Sequence, residues 1–168
     1  VTCKYKETFD HIIRCKSAAR EEWRVKVNCE LRRMMIKMGT HDSLIQCFIT
    51  YLEKWYMDGD IDPSVIVDVS FWRAVESQCQ IGWRQLFMGK MSVEWLELYT
   101  QMKTTTGRRV DACVGGRKIV EHFMQAAIEA WEARNQLIHK TEEKEQESPR
   151  RRAALVKEVR ELQMLRDK

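Results

Sequence analysis

The sequence predicts an all-α protein, a bundle of six or seven helices with a charged linker before the last. Three observations carry that expectation. Only seven glycines and two prolines punctuate 168 residues, which is sparse for a sheet-rich chain full of tight turns and natural for long helices. Apolar residues recur at steps of three and four over long stretches, the period of a helix with one buried face. Hydrophobic residues make up 44% of the chain and six are tryptophans, enough apolar bulk for one real core rather than a disordered segment.

The elements follow in order. Ser17 suits the N-cap of a helix with apolar positions Trp23, Val27, Leu31, Met34, Met35 and Met38, stopped by Gly39. Leu44, Ile45, Phe48, Ile49, Leu52, Trp55 and Tyr56 line a second helix, capped by Thr40 or Asp42 and closed at Asp58-Gly59-Asp60. In the next segment Val65, Ile66, Val67 and Val69 prefer a strand. Pro63 and the spacing Val69, Trp72, Val75, Cys79 favour a helix beginning near Pro63, and helix is the better reading.

Gly82 and Gly89 bracket a short apolar turn. Ser92 then opens a helix through Trp95, Leu98, Tyr99 and Met102, with Glu94 and Glu97 early, where the helix dipole favours acids. TTTGRRVDACVGG reads as a loop, and from about Arg117 the spacing Ile119, Val120, Phe123, Met124, Ala127, Ile128 and Trp131 gives the most regular helix in the chain. The domain plan is a partial zinc-knuckle-like segment over 1–16, a helical core domain over 17–141, a charged linker over 142–149 and a C-terminal helix over 150–168. Leu155, Val159 and Leu162 on that last helix suit packing back on the domain or docking a protein partner.

Net charge is +4 with 32% charged residues, which permits nucleic acid as a partner without demanding it. No run of eighteen apolar residues occurs and no signal-peptide plan opens the chain, so the expectation is an intracellular protein with no membrane association. Six cysteines, Cys3, Cys15, Cys29, Cys47, Cys79 and Cys113, are scattered; in a reducing compartment such residues are metal ligands or buried thiols more often than disulfides.

Cys3, His11 and Cys15 are the candidate metal ligands, because zinc takes four Cys or His ligands in a tetrahedron and a short segment can supply them. They make three of four, and the missing cysteine of a Cys-x-x-Cys pair would lie upstream of Val1. The competing reading has Cys3 at an exposed terminus and His11 and Cys15 a turn apart on the first helix. The string ETFDHIIRC resembles the Glu-Thr-x-x-His-apolar-apolar-x-Cys element that closes the zinc knuckle following the polymerase region of non-LTR retrotransposon reverse transcriptases. Arg20 and Trp23 stand where that family places an Arg and a Trp. QIGWRQLFMGKMSVEWLELY and WEARNQLIH, residues 131 to 139, are similar to the Gln-x-x-Ile-Gly-Trp, Gly, Ser-x-x-Trp and Trp-x-x-Arg-Asn-x-x-x-His patterns of related protist open reading frames. The resemblance runs from Cys3 to His139 in short motifs. It implies a retroelement-derived helical module that binds nucleic acid or assembles, with zinc at its start. The chain lacks the paired aspartates that a polymerase needs to hold magnesium.

Arg134, Asn135 and His139 also match the Arg-x4-His motif of HEPN-type ribonucleases, which are small, all-α and usually dimeric. That resemblance implies metal-independent RNA cleavage by a homodimer, with His139 moving a proton, Arg134 stabilising phosphate charge and Asn135 orienting. The plain alternative is a helix C-terminus, with Asn135 and His139 satisfying terminal carbonyls and Trp131 anchoring the helix to the core. A third function is a structural protein-interaction domain. Arg108, Arg109, Arg117, Lys118, Arg150, Arg151 and Arg152, with the doublet Arg32-Arg33, are candidate phosphate contacts, and Gly115 and Gly116 could set helix N-terminal amides near a phosphate. A solvated face explains the basic residues equally well. Five of the six tryptophans, and Met34, Met35, Met38 and Met57, are read as core.

Overall fold

The computed structural model of the chain describes residues 8–59, 61–62, 69–101, 111–146 and 157. Among them are six α-helices and no strand: α1 (Phe9–Arg14), α2 (Ala18–Lys37), α3 (Asp42–Asp58), α4 (Trp72–Ile81), α5 (Val93–Gln101) and α6 (Ala112–Gln146). Two 3-10 turns, Val69–Phe71 and Trp83–Met88, flank α4. The protein is all-α, as its glycine-poor, helically spaced sequence predicts. Among the described residues no helix is long and apolar enough to cross a membrane. The chain divides into a unit Val1–Ala130 and a unit Trp131–Lys168.

The helix ends follow from local chemistry. The Thr8 side chain accepts from the His11 amide at 3.2 Å and opens α1, which buries Ile12 and Ile13. Ser17 stands at the N-cap of α2, and Gly39, at φ 75°, follows its end. The cap of α3 is His41 rather than Thr40 or Asp42. His41 Nδ1 accepts from the Ser43 amide at 3.3 Å, while the Thr40 hydroxyl donates to the Tyr99 hydroxyl at 3.3 Å. Gly59 closes α3 at φ 91°, where a Cβ would also run into the Arg14 guanidinium.

The third segment differs from expectation in part of its buried face, and its expected start near Pro63 lies outside the described residues. α4 begins at Trp72, and residues 63–68 lie outside the described part. Its buried stripe is Phe71, Ala74, Val75 and Gln78, whereas Val69 is 88% exposed and Trp72 is exposed too. The bracketed turn is as expected, with Gly82 and Gly89 at positive φ on either side of buried Trp83, Leu86 and Phe87. Ser92 precedes α5 as expected. Its amide donates to Gln78 Oε1 at 2.9 Å and its hydroxyl oxygen accepts from the Glu94 amide at 3.2 Å.

α6 begins five positions earlier than the sequence predicts, at Ala112 rather than near Arg117. Asp111 Oδ1 accepts from the Cys113 and Val114 amides at 2.9 and 3.2 Å, an N-cap that lets the helix start there. Gly115 and Gly116 are buried inside its first turns, with the Leu96 side chain packed against Gly116. The helix continues to Gln146, so residues 142–146 of the expected linker are helical. The rest of that linker and the expected C-terminal helix lie outside the described residues, apart from Lys157, which is helical and exposed.

An aromatic cluster forms the core of the first unit. Phe48 meets Trp95 edge-on at 4.9 Å between centroids and Trp83 at 5.6 Å, and Phe123 meets Phe87 at 4.9 Å. The α6 face that joins it is Ile119, Phe123, Ala126 and Ala130, while Met124 and Ile128 face out. Trp55, Trp83 and Trp95 are core and Trp23 packs on its edge. Trp131, expected to anchor α6, is 53% exposed. Met35 is core filler and Met34 and Met38 pack against it, but Met57 is exposed.

Candidate nucleic-acid interface

Arg33 and Lys37 sit one helical turn apart on α2, so their side chains project from the same side. Lys118, on the second turn of α6, lines the same groove as these two cations. The groove has a volume of about 370 Å³; half-buried Met34 and Met38 line it, and Glu30 is its one acid. Glu30 is drawn to Lys26, at 3.9 Å, and the same ammonium lies 3.7 Å from Glu129. Among the described residues, Arg33, Lys37 and Lys118 have no ion-pair partner. Three uncompensated cations beside two polarizable thioethers make a site for an anion that carries apolar surface, such as a nucleotide chain.

No family model, curated protein or solved structure matches the chain.

Of the basic residues singled out in the sequence, Lys118 lines the groove. Its neighbour Arg117 is exposed and pairs with Glu121 at 3.6 Å. Arg108, Arg109, Arg150, Arg151 and Arg152 lie outside the described residues. Gly115 and Gly116 do not offer terminal amides to a phosphate, because both are helical and the Gly115 amide donates to the Asp111 carbonyl at 2.9 Å. Arg33 belongs to the doublet noted in the sequence. Lys37 was missed, although its spacing of four from Arg33 was the signal that could have found it.

The metal candidates are divided. Cys3 lies outside the described residues, His11 is half-buried on α1, and Cys15 follows directly as its C-cap. Among the described residues no group of three or more His, Cys, Asp or Glu side chains converges to hold a metal. His11 and Cys15 have the donor chemistry zinc takes and supply at most two of its four ligands. Arg20 and Trp23, matched to the retroelement pattern, stack, with the guanidinium 5.0 Å from the ring centroid. Arg20 also donates to the Ala130 carbonyl at 3.3 Å.

Arg134, Asn135 and His139 all belong to α6, with Arg134 and Asn135 half-buried and the His139 side chain outside the description. Because α6 runs on to Gln146, these three positions are not at a helix end, contrary to the helix C-terminus expected there. Five positions rotate by about 140° on a helix, so positions 134 and 139 lie on different faces of α6. Burial pushes the Cys79 thiol up, against the smaller opposing effect of the Trp83 indole N–H, which lies 3.4 Å from its sulfur. Cys79 is thereby kept protonated and poorly nucleophilic.

Proposed function

We propose that this chain is a nucleic-acid-binding helical module of the retroelement type, contacting the phosphate backbone through Arg33, Lys37 and Lys118 in the groove between α2 and α6. The observation that carries this reading is that three cations from two helices line one groove without ion-pair partners among the described residues. Met34 and Met38 give sugar and base faces an adaptable apolar bed. Backbone contact of this kind binds many sequences and weakens with salt. The short motifs that resemble retroelement reverse-transcriptase tails, Arg20 and Trp23 among them, support the retroelement origin.

Fluorescence anisotropy with a short labelled single strand tests the proposal. Lys118→Glu weakens binding about tenfold at low salt, whereas Lys90→Glu, an equal change of charge on another exposed residue, changes it little. Equal losses in the two variants would mean that net charge, not the groove, drives binding.

A further inference from the structure

The α2 wall of the groove repeats itself. Arg33 is followed by Met34 and, one helical turn on, Lys37 is followed by Met38, and all four residues line the groove. A nucleotide chain has the same plan, a phosphate and a base at every step, so one cation-and-thioether pair matches one nucleotide. Four residues advance a helix by about 6 Å, which sets the offset between the two pairs along α2. Stacked nucleotides in a duplex strand advance by only about 3.4 Å. Positions 34 and 38 are therefore spaced for bases drawn apart from one another, not for neighbours in a stack. The repeat stops after two turns: the preceding pair of positions holds Cys29 and Glu30, and Glu30 sets a carboxylate, which repels phosphate, at that end of the groove.

We infer that the groove takes two successive nucleotides of a single strand, with their bases unstacked, in preference to duplex; this rests on the phosphate-contact reading of the same groove. Exposed Arg33, Lys37 and Lys118 hold the phosphates, and half-buried Met34 and Met38 receive the base faces. A thioether sulfur is polarizable and attracted to aromatic rings, and the unbranched methionine side chain adapts to rings of different size. The contact is therefore indifferent to base identity but requires a base that has left its stack. A duplex keeps its base faces inside the stack and offers the groove phosphates alone. Charge by itself would give the opposite preference, because each phosphate contact to a duplex releases more counterion than one to a single strand, about 0.9 against 0.7. Preference for the single strand thus isolates the contribution of the two methionines from that of the three cations.

Fluorescence anisotropy of the full chain with three labelled probes is the test: a short oligothymidylate, the same strand annealed to its complement, and a strand of equal length with abasic residues throughout. At low salt the thymidylate strand should bind about tenfold more tightly than the abasic strand, the gain of two thioether–ring contacts. It should also bind more tightly than the duplex, and the two single strands should share one salt dependence, because their phosphates are the same. Met34→Gln with Met38→Gln, which removes both thioethers at nearly constant length, should bring the thymidylate and abasic strands to near parity. The three wild-type titrations decide the question even if that double variant fails to fold. Equal affinity for the thymidylate and abasic strands, a duplex bound as tightly as the single strand, or a gap that persists in the folded double variant would overturn the inference. Lys118→Glu tells its failure from that of the groove: if this change weakens two strands that bind equally, the phosphate contacts stand and the base contacts fall. If it weakens neither, both fall.

Discussion

The guanidinium of Arg24 donates to the carbonyl of Cys15 at 2.8 Å, and the same nitrogen lies 3.3 Å from the carbonyl of Ile13. Arg24 is itself buried in α2, and its guanidinium lies over the Tyr56 ring at 5.7 Å. One cation thus satisfies two carbonyls that α1 leaves open at its end and fixes that helix to the domain. Arg24→Met keeps most of the packing and loses the charge-assisted hydrogen bonds. It should cost about 2 kcal/mol in urea unfolding and raise amide exchange in α1. An unchanged urea midpoint would show that α1 is held by Ile12 and Ile13 alone.

A second prediction concerns the early start of α6. Gly116 is buried with the Leu96 side chain against it, so Gly116→Val overpacks the contact and should destabilise by about 1–3 kcal/mol despite the better helix propensity of valine. Leu96→Ala in the same chain should recover much of that loss, a coupling readable in a double-mutant cycle. Additive effects would place Gly116 away from α5.

Alkaline pH probes the buried tyrosine at the α5 end of the core. Burial pushes the Tyr99 hydroxyl up to about 12, against the smaller opposing effect of its hydrogen bond with Thr40. The unfolded chain ionises near pH 10, so it releases its proton first. Stability from this group is therefore complete below pH 10 and is lost as the pH rises toward about 12, by about 2–3 kcal/mol in all. Tyr56, also raised by burial, acts in the same direction. The contribution of Tyr99 is thus the difference between wild type and Tyr99→Phe: the variant should be about 1 kcal/mol less stable at neutral pH and fall less steeply above pH 10. Parallel alkaline profiles would contradict the burial of Tyr99.

Sequence periodicity located α2 and α3 because each pairs an apolar stripe with a glycine stop, Gly39 or Gly59, and α5 because Ser92 opens its apolar stripe. On α4 it placed Val75 and Cys79 at the core as found, but chose Val69 and Trp72 over Phe71, Ala74 and Gln78, because the residues that face the core include a small and a polar one. Gly115-Gly116 read as a break, yet Asp111 caps ahead of them and their small size admits Leu96. The stretch TEEKEQ read as linker because it is highly charged, although Glu, Lys and Gln are good helix formers. In the groove, Lys118 and Arg33 were legible as members of basic doublets. Lys37 is a single lysine whose role depends on facing α6.

If Arg33, Lys37 and Lys118 contact phosphates together, the slope of log affinity against log salt for a short single strand reads it out. Each phosphate contact contributes about −0.7 to that slope. Replacing all three cations with glutamine should therefore make the slope shallower by about 2 and weaken binding most at low salt. A triple variant whose slope matches that of the wild-type protein would show that these three cations do not contact phosphate.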